Sequence, residues 1–278
     1  MNLIELFEEL KINKSHILVF SPEDIMRVEK QVNVEKKINP EIDAKTSENL
    51  ILALKEYKEE LLFVISNRIL FNFFTHSNLP KDSFLNYKKT VSDEKIKYFI
   101  ALFLAEDLIS FFSIKLSENT SEKFKKLDAL LDLKKYFPEE AIYQMSLLVF
   151  SKLDLTLSQL AALNISEPSN IIYIQHKTFY DLLSHFASIE LDQKMDSLMT
   201  LVVRFHKKKT DNVFFISVIK SMASYNAFGE LLNQALVKNR AILVQLEEDK
   251  EQDKIYLVVK IIAVILFLLF AFSKIQWF

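Results

Sequence analysis

Along most of this chain apolar residues return every three or four positions, the period of a helix that buries one side. From Ser47 onward Leu50, Leu54, Tyr57 and Leu61 share one stripe, and the run 61–74, LLFVISNRILFNFF, is apolar on almost every face. That pattern predicts a central core helix ending before Pro80. A second apolar helix is expected from the cap Ser92-Asp93-Glu94 to about Leu116, through YFIALFLAEDLISFF.

Upstream, Ser21-Pro22-Glu23-Asp24 places a capping serine, a proline at the first helical position and acids in the first turn, so a charged helix is expected over 22–37. The stretch 16–20, HILVF, reads as a strand or irregular segment. Shorter helices follow at 121–136, 138–153 and 156–163, and NISEPSN, 164–170, has the composition of a linker. Beyond it, 171–174 is a short strand or a helix start, and helices are expected at 176–187, 193–206, 213–225 and 227–248.

The pattern changes once more near the end. Ile261 to Phe272 reads IIAVILFLLFAF without a polar side chain, and the span 255–273 would be about 28 Å long as a helix, matching a bilayer core. Ile255, Ile261, Leu266 and Phe270 supply its apolar body. Lys260 and Lys274 can carry their ammonium groups to the headgroups, and Tyr256 and Trp277 suit the two interfaces. Lys238, Arg240, Lys250 and Lys254 precede the span while Lys274 alone follows it, which places the large domain in the cytoplasm. The first ten residues, MNLIELFEEL, lack the basic and apolar regions of a secretory signal.

The expected architecture is therefore a mostly all-α cytosolic bundle of several helices, with at most a minor β element and one C-terminal transmembrane helix. Its divisions are an N-terminal segment 1–45, a helical core 46–163, a linker 164–170, a second helical part with a stalk 171–254, the anchor 255–273 and a short tail 274–278.

Composition sharpens this picture mainly by exclusion. Gly229 is the one glycine in 278 residues, so few turns and loops that depend on glycine can form, and the common nucleotide-binding motifs are excluded. Helix ends must instead fall on asparagine or proline. Without cysteine there is no disulfide, thiolate nucleophile or thiolate metal site. The net charge of −2 does not suggest a nucleic-acid binder.

The five histidines, at 16, 76, 176, 185 and 206, show no four-residue zinc spacing, and no cofactor is expected. Asp181 and His185 could pair on one helix face, most simply as a structural pair. Glu106-Asp107 reads as a solvated stripe on an apolar helix, and Arg68 needs either a partner or a route to solvent. Arg204, His206, Lys207, Lys208 and Lys209 form the one concentrated basic cluster, a solvated inter-helix loop on the plainest reading and a patch for anionic lipid or a protein partner on the sharper one.

These features favour a tail-anchored, non-enzymatic scaffold or adaptor of a membrane-associated complex. In layout, though in no shared motif, the chain resembles the tail-anchored helical subunits of bacterial secretion machines. Its implied partners are a lipid bilayer and other protein subunits, with a second copy of the chain as a further option. Two alternatives belong to other classes: an effector that inserts 61–74 and 98–112 into a bilayer, and a helical hydrolase without familiar motifs.

Overall fold

Local capping chemistry explains where most helices begin. In a computed structural model describing residues 1–84, 87–162, 169–208, 213–242 and 244–245, Asn2 and Glu5 form a reciprocal capping box that starts α1, Leu3–Glu9. Ser21 and Asp24 do the same for α2, Pro22–Ile38, as the sequence predicts. Asp43 caps α3, Ala44–Glu56, and α4, Lys58–Ser66, and α5, Arg68–Phe74, follow. Then come α6, Asp93–Phe103, α7, Ala105–Ser117, α8, Ser121–Leu131, and α9, Glu139–Ala162. The later helices are α10, Lys177–Ser184, α11, Ile189–Lys208, α12, Val213–Met222, and a further helical stretch over 230–242.

The fold is all-α, with no strand among the described residues. Both strand candidates are short 3₁₀ helices, Lys14–Val19 and Ser169–Gln175. In the first, the Asn13 side chain accepts from Ser15 N–H and pulls the chain into a tight turn before extended structure can form.

The two long apolar helices expected over 47–79 and 93–116 are each broken. Tyr57, at φ −132° and ψ 39°, separates α3 from α4, and its ring packs 5.4 Å from that of Phe103. Asn67 ends α4 and starts α5, because its Oδ1 accepts from Ile69 and Leu70 N–H and so caps a new helix where the old one could have continued. Leu104 makes the third break, between α6 and α7, with its side chain fully buried. These bends let short segments wrap one core: Leu61, Val64, Ile65, Leu70 and Phe71 are buried, so most of the first stretch considered for bilayer insertion is internal to this unit, while the second, 98–112, buries Phe99, Phe103, Leu108 and Phe112 and exposes Tyr98 and Leu102. Conversely, the helices expected at 138–153 and 156–163 are one, α9. The sequence between them has neither glycine nor proline, and Thr156 Oγ1 donates to Lys152 O at 2.8 Å inside the helix.

With almost no glycine, left-handed backbone at helix ends falls on Lys11, His76 and Asn119, at φ 51°, 52° and 59°. Asparagine fills this role once as expected and also closes α2 and α4, at Asn39 and Asn67. The lysine and the histidine depart from that expectation.

The described residues divide into two compact units: Met1–Leu163 with Asp181–Phe186, and those of Asn164–Tyr180 and Ala187–Phe278. The first is built around Phe7, Leu61, Phe71, Phe99 and Phe112, the second around Ile174, Tyr180, Leu191, Met195 and Val218. No described helix is long and apolar enough to cross a membrane. The expected anchor 255–273, the tail 274–278 and most of the linker lie outside the described residues.

Candidate functional site

The first unit holds a polar pocket of about 300 Å³ at the junction of α5, α7 and α8, lined by Arg68, Asn72, Phe73, Lys115, Lys123 and Lys126 among others. Its floor is fixed by the turn after α5. Asn72 Oδ1 accepts from Leu79 N–H at 3.0 Å and from Ser77 Oγ at 2.8 Å, and Asn72 Nδ2 donates back to Leu79 O. Asn2 Nδ2 donates to Phe74 O at 2.8 Å, tying the start of α1 to the last turn of α5.

This bracing holds His76 in the left-handed region, a conformation that costs a non-glycine residue roughly 1–2 kcal/mol. Its ring lies 4.1 Å from that of Phe111, and its Nδ1 lies 3.3 Å from Lys115 Nζ. An ammonium can only donate, so Nδ1 accepts and the ring proton sits on Nε2, facing Glu5 Oε1 at 3.9 Å. Phe111 and Lys115, four apart on α7, thus grip one imidazole. Burial, and then the charge of Lys115, hold His76 below the usual histidine range.

Lys115 is 9% exposed, the one lysine among the buried polar side chains of the described residues. Burial, and then Lys123, hold its ammonium below the usual lysine range. Lys123 pairs with Glu118 and Lys126 with Glu122, each at 2.8 Å. Lys115, Arg68 and Lys125 have no ion pair among the described residues.

The sequence candidates are distributed across the fold. Arg68 starts α5, is exposed and borders this pocket. Glu106 is exposed and pairs with Lys45 at 3.0 Å; Asp107, half-buried beside it, is pushed above the usual carboxylate range by burial and then by Glu5. His185 Nε2 lies 2.8 Å from Asp128 Oδ1 on α8 and 4.0 Å from Asp132 Oδ1, so carboxylates more than fifty positions away bear on this histidine. Arg204 and His206 lie in the last turns of α11, where positive charge suits the helix dipole, so this part of the basic cluster is helical and not loop. Arg204 is exposed, His206 keeps Nδ1 buried without a hydrogen bond, and Phe205 between them stacks on Phe215 at 5.5 Å. Lys207 and Lys208 close the helix, and Lys209 lies outside the described residues.

The second unit carries a different feature. The Asp192 carboxylate accepts from Tyr225 OH and Gly229 N–H, both at 2.7 Å, and from Phe228 N–H at 3.2 Å. It caps the helix over 230–242, and a Cβ at Gly229 would lie 3.3 Å from Asp192 Oδ2, so the single glycine stands where a carboxylate meets the backbone. Burial, and then the hydrogen bond to Asp192, push the Tyr225 hydroxyl far up. Beside this cap runs an open groove of about 550 Å³ between α11 and the 230–242 helix, whose rim exposes Ile189, Phe228 and Leu231 and bears Asp196.

Sequence reasoning passed over Lys115 and Asp192. The only local signal for the first was a cation inside the apolar stretch 96–116; for the second there was none, since its partners lie 33 to 37 positions away. Among the described residues, no three His, Asp or Glu side chains are grouped to hold a metal.

The fold and its two recesses define a helical protein of two units, one with a cationic pocket and one with an apolar groove. No protein-family model, curated protein or solved structure matches the chain.

Proposed function

We propose that this chain is a non-enzymatic scaffold or adaptor of a membrane-associated complex, anchored through 255–273 with its helical units on the cytoplasmic side. The observation that carries the reading is the uncharged run Ile261–Phe272 between Lys260 and Lys274, preceded by the basic residues Lys238, Arg240, Lys250 and Lys254. A segment of that length and composition has no favourable place in water.

The groove of the second unit supports the adaptor half of the reading. Phe228, in the bend before the 230–242 helix, is 67% exposed, and Leu231, in its first turn, is 84% exposed. Large apolar side chains around a recess, with Asp196 at its edge, suit an amphipathic partner helix that carries a basic residue beside its apolar face. Gentle detergent extraction of the tagged full chain is expected to bring down other membrane proteins, and alkaline carbonate should leave the chain in the membrane pellet. Release into the carbonate supernatant, or Leu266→Arg leaving membrane association unchanged, would contradict the anchor.

A further inference from the structure

We infer that the pocket between α5, α7 and α8 binds a phosphate monoester, an assignment that stands independently of the membrane anchor. Five cationic side chains line it, Arg68, Lys115, Lys123, Lys125 and Lys126, against the single lining carboxylate of Glu122. Counting Glu118, which holds Lys123 from outside, two carboxylates face five cations. Three cations are left without a counter-ion.

Lys115 makes the case specific. A buried ammonium loses its hydration, and a protein that only needed to fill this volume would be served better by an apolar side chain. Here the group is retained, and its contacts are a neutral imidazole at 3.3 Å and the face of the Phe73 ring 5.5 Å away, neither of which brings the negative charge that would offset the lost water. The imidazole is itself positioned at the expense of a left-handed backbone, in a turn braced by Asn72, Ser77 and Asn2. Strain of this kind, next to an uncompensated charge in a recess, is what a prepared binding site shows before its ligand arrives.

Charge and geometry select the ligand class. Three free cations from separate helices match a dianion whose oxygens point in several directions, as those of a phosphate monoester do. The exposed Arg68 fork supplies paired donors at the mouth and Lys115 a point charge at depth. A carboxylate has one charge and two oxygens and would leave at least two of these cations unpaired. Phe73, Ile69 and Ala129 form an apolar wall, and about 300 Å³ is room for the phosphate with a small organic body, not for a nucleotide. The phosphate can belong to a soluble metabolite or to the headgroup of a lipid such as phosphatidic acid.

The experiment titrates glycerol 3-phosphate into the full chain in phosphatidylcholine nanodiscs, followed by calorimetry, with glycerol as control. Saturable binding is expected for glycerol 3-phosphate and none for glycerol. Arg68→Ala and Lys125→Ala, both exposed, should each weaken it several-fold, and Lys115→Met by about tenfold or more. Adding phosphatidic acid to the discs distinguishes the sources: loss of glycerol 3-phosphate binding marks the headgroup as the occupant, and unchanged binding marks a free ligand. The inference is overturned if neither form binds, or if binding survives intact in Lys115→Met and in the Arg68→Ala, Lys125→Ala double variant. Because the double variant alters only surface positions, it decides the matter even if Lys115→Met does not fold.

Discussion

Asp192, half-buried in the second unit, and Lys115, buried in the first, are both acidic or basic side chains set between helices, and their surroundings could hardly differ more. Asp192 is answered on every side, by a phenol and two backbone N–H groups within 3.2 Å. Lys115 meets one imidazole nitrogen at 3.3 Å and the Phe73 ring at 5.5 Å, and beyond them Lys123 and Lys126 with a single more distant carboxylate, Glu118. A charge that the fold satisfies completely is part of the fold. One that the fold leaves unanswered points outward, to a ligand. The comparison assigns opposite roles to two residues that sequence inspection cannot rank.

The largest expected effect is at the satisfied group. Asp192→Ala removes three hydrogen bonds and the cap of the 230–242 helix, and should cost about 3 kcal/mol, read from chemical denaturation of the full chain. An effect below the noise would break the comparison from its structural side. Lys115→Met should do the reverse, stabilising the unliganded protein by roughly 1 kcal/mol because a buried, uncompensated charge gives way to an apolar side chain of similar length. Loss of stability there would mean that the fold relies on the ammonium after all.

Gly229→Ala is expected to cost roughly 1 kcal/mol, since its new Cβ would sit 3.3 Å from Asp192 Oδ2 and push the carboxylate away from the cap. The melting temperature should fall, but less than for Asp192→Ala. The smallest effect concerns another inward-facing cation, Lys152, whose ammonium donates to Asn119 Oδ1. Burial lowers its pKa from 10.5 to about 8. Between those values the unfolded chain binds a proton that the folded chain does not, so this group makes stability rise with pH across the window 8 to 10.5. Partial exposure reduces the size of the effect, and the slope should flatten in Lys152→Met when melting temperatures are compared across that range.

Much of the architecture could be read before the structure because its causes are local. The cap at Ser21 and Asp24 uses residues three apart, and the period of apolar positions marked every major helix. The breaks at Tyr57, Asn67 and Leu104 were hidden because each is decided by what the residue meets in three dimensions, such as the ring of Phe103 against Tyr57. The candidate sites were still less legible. His185 was singled out for a carboxylate four positions away and finds another on α8. The cationic pocket draws on α5, α7 and α8, and no stretch of sequence shows that Arg68 and Lys115 border one recess.

The central claim, that Lys115 is held for a ligand and not for the fold, is tested most directly by the melting temperature of the wild type and of Lys115→Met, each with and without glycerol 3-phosphate. The account predicts that without ligand the variant melts higher, and that glycerol 3-phosphate raises the wild type while leaving Lys115→Met where it was. A variant that melts lower than the wild type, together with a ligand that moves neither protein or both equally, would contradict it.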